Sequence, residues 1–223
     1  MSKLYIVATP IGNLEDITLR AVRILGEVDL ILCEDTRVSK NLLVHYNIKT
    51  PCKSFHQHSG QTKFDEIERL FAQGKNIALV TDAGTPGVSD PGGMLIEAAL
   101  KYPDVSIEAI PGPSAIATAI SLAGWNMEKF VFLGFLPHKK GRQTLLKYIT
   151  ESEWPILLYE SVHRIEKLLK EFVEYIPTRQ IVVCRELTKK FETVYRGTPS
   201  EVIASLKKPE IKGEFVVLIG GEK

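Results

Sequence analysis

The residues able to do chemistry concentrate in short polar loops, each following an apolar run. The richest is Asp82-Ala-Gly-Thr-Pro-Gly-Val-Ser-Asp90, with two carboxylates, two hydroxyls, two glycines and a proline directly after an apolar run over 77–81. Such a run, bounded by turn residues, reads as a buried strand. Asp82 then stands at a strand's carboxyl end, where open α/β sheets bind ligands. A plain strand–helix connection needs only a few residues, and this one is longer and more polar. A second loop, Glu34-Asp35-Thr36-Arg37, sets carboxylates beside a guanidinium, a combination suited to moving a proton or gripping an anion. The same residues serve as a helix cap and a local ion pair, and alone that use is the stronger. The third loop, Thr9-Pro-Ile-Gly-Asn13, offers open backbone amides. If the strands are parallel, the loops meet on one rim as a pocket of carboxylates, an arginine and amides.

Several chemistries are disfavoured. No GK[ST] follows a glycine loop at Walker spacing, and no G-x-G-x-x-G is present, so phosphate hydrolysis and ordinary dinucleotide binding do not fit. Asp82 and Asp90 lack a further ligand at convincing spacing, so no metal is expected, and His56-Gln57-His58 reads as a solvated loop. The densest basic cluster, Pro137-His-Lys-Lys-Gly-Arg142, contributes Lys139, Lys140 and Arg142. It suits a phosphate grip and a solvated helix entry equally. Lys189-Lys190 and Lys207-Lys208 read as solvated turn residues. Tyr159-Glu-Ser-Val-His163 and Cys184-Arg-Glu186 place polar groups at strand ends, where caps and ion pairs are the ordinary use.

Composition is that of a soluble globular chain: 44% hydrophobic and 25% charged residues over 223 positions, with a net charge of +1. A polyanionic partner would therefore need local clusters. Three scattered cysteines without a CxxC pair fit a reducing, cytoplasmic setting. No stretch approaches the roughly 20 apolar residues of a membrane span, and the apolar run near Met1 is short for a signal peptide.

These loops need elements to hold them. Strands are expected over 4–9, 29–33, 53–55, 77–81 and 106–110, with helices over 18–25, 39–46 and 64–71 between them. Gly26 is expected just past the first helix, and Pro91 at the first turn of a helix carrying Met94, Leu95, Ala98 and Ala99. Alternating strand and helix implies a mostly parallel, doubly wound sheet. Pro111-Gly-Pro-Ser114 breaks the chain before a small-residue helix ending at Gly124, and the domain boundary is placed there, 1–112 and 113–223. The second half reads as strands over 130–135 and 155–159, helices over 143–150 and 162–175, a hairpin of 181–185 with 191–196, a short helix over 199–206 and a strand over 214–219. That pattern predicts a mixed sheet. The fold class is α/β throughout.

Taken in order, VATPIGNLEDIT (7–18), CEDTR (33–37), VTDAGTPGVSDPG (80–92), IPGPSA (110–115), FLGFLP (132–137) and LYESVHRI (158–165) span essentially the whole chain. Together they resemble the bacterial small-subunit ribosomal RNA 2′-O-ribose methyltransferases, which act on a decoding-centre cytidine, within the tetrapyrrole (corrin and porphyrin) methylase superfamily. The resemblance implies two α/β domains with S-adenosylmethionine in the cleft between them, usually in a homodimer. It implies that Pro10, Asp82, Ala83, Gly84, Ser89, Ser114 and Ala115 hold the cofactor, with backbone at Leu133, Leu158 and Tyr159 meeting the adenosine. Glu34 and Asp35 are the candidate bases, Arg37 orients or grips phosphate, and Glu160 is the reserve. Small-subunit ribosomal RNA, within the assembled subunit, is the expected partner. A tetrapyrrole-precursor methylase is the alternative enzyme; a noncatalytic RNA- or nucleotide-binding module is the alternative from another class. Longer members continue with a helical extension, whereas this sequence stops at Gly220-Gly-Glu-Lys223.

Overall fold

A computed structural model describes residues 1–56, 59–90, 92–206 and 213–221. His58, Pro91, Lys207 and Lys208, each given a role in the sequence reading, lie outside the described residues. The chain forms two compact units, Met1–Ser114 and Ala115–Lys223.

The first unit carries β1 (Ser2–Val7), β2 (Leu30–Cys33), β3 (Cys52–Ser54), β4 (Ile77–Leu79) and β5 (Val105–Ile110). They pair in the order β3-β2-β4-β1-β5, every neighbour parallel. Helices α1 (Leu19–Glu27), α2 (Thr36–His45), α3 (Gln61–Ala72) and α4 (Gly92–Ala99) connect them. Leu30 to Cys33 are all buried, as an inner parallel strand covered on both faces requires. One face packs Tyr5, Val7, Ile31 and Cys33 with Ala21, Ile24 and Leu25 of α1. The other packs Leu4, Ile6, Leu32 and Leu79 with Ile67 and Phe71 of α3 and Leu95 of α4.

The second unit contains α5 (Ala115–Ser121), β6 (Val131–Phe135), α6 (Arg142–Glu151), β7 (Ile156–Ser161), α7 (Ile165–Tyr175), β8 (Ile181–Arg185), β9 (Thr193–Gly197), α8 (Pro199–Ser205) and β10 (Glu214–Ile219). Its order is β6-β7-β10-β8-β9. Only β6 and β7 run parallel, so the sheet is mixed as expected. Ile165, Leu168, Leu169 and Phe172 of α7 are fully buried against it. Among the described residues no helix is long and apolar enough to cross a membrane.

The element boundaries depart from expectation where side chains decide. Gly26 lies inside α1 rather than beyond it. The last turn closes on Val28, whose N–H donates to the Ile24 carbonyl and whose side chain is buried. Helix α2 starts earlier because the Asp35 carboxylate accepts from the Arg37 N–H. Residues 162–164 form a turn ahead of α7, and residues 186–192 precede β9, so Phe191 belongs to the connection.

Arg142, expected in an exposed basic cluster, opens α6 and is 5% exposed. Its guanidinium binds both Glu171 oxygens (2.5–3.1 Å) and donates to the Pro137 carbonyl at 3.2 Å. Glu171→Ala would leave that cation buried without a counter-charge. The expected loss is about 3 kcal/mol, the low end for breaking such a pair, because the Glu171 side chain keeps 19% exposure. Lys167→Ala, which removes a distant exposed partner of Glu171 at 3.9 Å, should leave the urea midpoint almost unchanged.

Candidate active site

The parallel sheet brings the carboxyl ends of β1, β4 and β2 side by side, and their loops bond to one another. Thr9 and Gly84 exchange both backbone hydrogen bonds, 2.9 and 3.0 Å, as an isolated antiparallel bridge beyond β1 and β4. The Thr9 hydroxyl donates to the Thr81 carbonyl at 3.1 Å. Gly84 takes a left-handed φ of 83°, and an added Cβ would lie 3.4 Å from Ile11 and 3.8 Å from the Pro113 carbonyl. The Thr85 hydroxyl donates to that same carbonyl at 3.1 Å, tying in the Pro111–Ser114 turn. Gly112 approaches so closely that its Cβ would stand 3.1 Å from that of Ala8.

Asp90 sets the far end of the central loop. Its carboxylate accepts from the N–H groups of Gly87 (2.8 and 2.9 Å) and Gly92 (2.7 Å). It thereby holds Ser89 at a φ of 63°, an uncommon conformation for a residue with a Cβ. Sequence reading treated Asp90 only as a rejected metal ligand and missed this duty. The Asp-Pro-Gly spacing, a carboxylate just before a helix, was the available signal. Among the described residues no group of histidines, cysteines and acids is placed to hold a metal ion.

The expected acidic residues do converge. Asp82 accepts from the Asp35 N–H at 3.0 Å, and the Thr81 hydroxyl donates to Glu34 at 3.4 Å. Their environments differ. Partial burial, then the Asp82 charge, raises the Glu34 pKa; burial likewise raises that of Asp82. Asp35 is held down at about 2, chiefly by hydrogen bonds from the Arg37 guanidinium, then by the Arg37 amide. The Asp35 carboxylate thus caps α2 and holds Arg37 (2.6–3.1 Å). The Arg37 side chain itself stays 89% exposed.

In the second unit, Leu133 sits where β6 slips out of register. Phe132 pairs with Leu157 and Phe135 with Tyr159, so Leu133 and Gly134 together oppose Leu158. This bulge interrupts the ladder at the backbone positions implied for adenosine, and bulges favour such sites. Tyr159 lies against Phe132 and Phe135, with ring centroids at 5.0 and 5.5 Å. Leu158 faces the opposite way and is fully buried. Glu160, the reserve base, is 1% exposed. Its Oε1 accepts from the Ser161 N–H at 2.8 Å and pairs with Arg164 at 2.7 Å, while its buried Oε2 has no hydrogen-bond partner among the described residues. Arg164 donates to the Leu136 carbonyl and Arg142 to that of Pro137. Buried Arg142 and half-buried Arg164 thus pin the base of the loop that exposes Lys139 and Lys140.

The family model described as Tetrapyrrole (Corrin/Porphyrin) Methylases matches residues 3–203. The chain is 42% identical over 223 residues to a Thermotoga maritima protein named Ribosomal RNA small subunit methyltransferase I, covering all of both chains. Among solved structures it resembles a diphthine synthase, with TM-score 0.74, 16% identity and 99% and 90% of the two chains covered. It also resembles a uroporphyrin-III C-methyltransferase of Thermus thermophilus complexed with S-adenosylhomocysteine, with TM-score 0.66, 17% identity and 98% and 97% covered.

The acidic rim makes a titration prediction. In a carboxyl-carbon NMR titration, Glu34 should show a midpoint above its ordinary value of about 4.3 and Asp35 a midpoint near 2. Because the Asp35 pKa is depressed, the stability it lends is complete above its unfolded value of about 3.9. That contribution fades as pH falls through about 2. Arg37→Ala should return the Asp35 midpoint toward the ordinary range; equal midpoints for Glu34 and Asp35 in the wild type would contradict the assignment.

Proposed function

The chain belongs to the tetrapyrrole (corrin/porphyrin) methylase family, and from that premise we propose that it methylates the 2′-hydroxyl of a cytidine in small-subunit ribosomal RNA, using S-adenosylmethionine. The observation that carries this reading is the end-to-end likeness to the Thermotoga protein, whose name specifies small-subunit ribosomal RNA. A homodimer in the cytoplasm, acting on the assembled subunit, completes the proposal.

The rim suits such a cofactor. Two glycines with left-handed φ, Gly84 and Gly87, keep the central loop's backbone uncovered by side chains, and Asp82 and Ala83 beside them are exposed. In the proposal Pro10, Asp82, Ala83, Gly84, Ser89, Ser114 and Ala115 hold the cofactor, and the backbone at Leu133, Leu158 and Tyr159 meets the adenosine. When bound, S-adenosylmethionine supplies an electrophilic methyl on a sulfonium, whose positive charge a nearby Asp82 carboxylate favours.

The protein's own task is alignment and proton removal. A ribose hydroxyl is a weak nucleophile, so a hydrogen-bonded base assists it, and positioning supplies much of the rest. Glu34 takes the proton: its raised pKa makes it a stronger base than Asp35. Arg37, oriented by Asp35, grips a substrate phosphate through its exposed guanidinium. Lys139 and Lys140 add phosphate contacts. Arg142 leaves that set because Glu171 already holds it.

Calorimetry at millimolar S-adenosylmethionine should show binding by the wild type and little or none by Gly84→Val, since φ there is 83°, a conformation that a β-branched residue strongly disfavours. No binding by the wild type would end the proposal. Labelled cofactor offered with small ribosomal subunits or with tetrapyrrole precursors should mark RNA; label in the pigment alone would move the assignment to the other branch. In a strain lacking the gene, one ribose methylation should disappear, returning with the wild-type gene but not with Asp82→Ala. Its return with Asp82→Ala would remove Asp82 from the site.

Lys139→Ala with Lys140→Ala should flatten the slope of log affinity against log salt by about two and leave cofactor affinity intact. A slope equal to that of the wild type would make the pair plain surface.

A further inference from the structure

The connection between β8 and β9, residues 186–192, is built at a cost that a simple hairpin does not require. Two-residue turns join antiparallel strands routinely, whereas here Glu186 and Thr188 both take left-handed φ, 52° and 64°. That conformation is strained for any residue with a Cβ and most of all for a β-branched one, and it persists only where its surroundings over-determine it.

Here they do. The Glu186 N–H donates to the Glu214 carbonyl at 3.0 Å, and the Glu186 carboxylate accepts the Glu214 N–H at 2.9 Å. Lys189 bridges Glu186 at 2.9 Å and Glu214 at 2.8 Å, so it is not the solvated turn residue the sequence implied. The Thr188 N–H donates to Glu192 at 2.5 Å. A side chain at Gly213 would collide with Glu186. Leu187 is buried as an anchor. The Phe191 carbonyl accepts from the guanidinium of buried Arg185 and from the Thr193 hydroxyl, each at 3.2 Å.

What this rigid frame presents is Phe191, 64% exposed, with the Lys190 ammonium 5.6 Å from its ring centre. Among the described residues Lys190 has no carboxylate partner in ion-pair range, whereas Lys189 has two. An exposed cation–π contact is weak and does not account for the strained backbone beneath it. A flat apolar ring beside an unpaired cation matches one unpaired nucleotide, whose base offers a π face and whose phosphate offers the charge.

We propose that residues 186–192 form a rigid single-strand RNA contact, in which Phe191 stacks on an unpaired base of the substrate and Lys190 meets the adjoining phosphate. The proposal rests on the ribosomal RNA reading above and adds to it a contact outside the rim and the Lys139–Lys140 loop.

Affinity for deproteinised small-subunit ribosomal RNA and for assembled small subunits should be titrated with wild type, Phe191→Ala, Phe191→Leu and Phe191→Trp. Removing a base-stacking ring should cost about tenfold or more in Kd, in the Leu variant as well as the Ala variant. The Trp variant should keep wild-type affinity and show RNA-dependent fluorescence quenching beyond that of the native Trp125 and Trp154. Lys190→Ala should flatten the salt slope by about one. Urea midpoints and cofactor affinity should not change in any of them.

Wild-type affinity in the Ala variant would overturn the contact, as would a Trp variant as weak as Ala. Unchanged RNA binding with altered sedimentation would instead mark Phe191 as a contact between copies of this chain, which also overturns it. Binding of neither RNA form by the wild type would bring down the substrate reading itself, an outcome distinct from all of these.

Discussion

The bridge between Thr9 and Gly84 is the constraint from which the first unit's rim follows. Two backbone hydrogen bonds, one in each direction, join loops that lie far apart in sequence. They form only because β1 and β4 are parallel neighbours whose carboxyl ends coincide. With that bridge in place, Thr9 reaches Thr81, Gly84 packs on Ile11, and Thr85 holds the Pro111–Ser114 turn. The left-handed φ of Gly84 is part of the same geometry, since a chain that leaves a strand and at once returns an N–H to its neighbour needs a conformation a Cβ disfavours.

The bridge also decides the electrostatics. By ordering Asp82 beside the start of α2, it lets Asp82 accept from the Asp35 N–H while Asp35 faces Arg37. Carboxylates close in space are thereby driven apart in pKa. Glu34 rises through partial desolvation and then the Asp82 charge, and Asp82 chiefly through partial desolvation; Asp35 falls through its hydrogen bonds to Arg37. Divergent pKa values among neighbouring acids are a common basis for separate roles at one site. Here they set Glu34 above and Asp35 below the ordinary carboxylate range.

The second unit uses its charges differently. Buried Arg142 and half-buried Arg164 are neutralised by Glu171 and Glu160 and spend donors on the consecutive carbonyls of Pro137 and Leu136. Lys189 is spent in the same way between Glu186 and Glu214. Basic residues that look alike along the chain thus divide into those that shape loops and those that loops display. Lys139, Lys140 and Lys190 belong to the second group.

The sequence by itself determined the layered α/β architecture, the parallel and mixed sheets, and which loops cluster at the first sheet's carboxyl edge. Apolar runs such as Leu30–Cys33 and turn residues such as Pro111 and Gly112 encode those features locally, through burial and backbone freedom. The ordered motifs also pointed to the family the chain belongs to. Only the tertiary structure decided which of the charged residues are available. Arg142 sits one residue past a glycine in a basic string, and nothing local reveals that Glu171, on another helix, will take its guanidinium. Asp35 and Glu34 are adjacent carboxylates with equal local credentials until Arg37 folds back on one and Thr81 meets the other. Phe191 reads as a strand residue until the network around Glu186 and Glu214 turns it outward. Ion pairing and burial depend on distances between segments remote in sequence, and periodicity does not carry those distances.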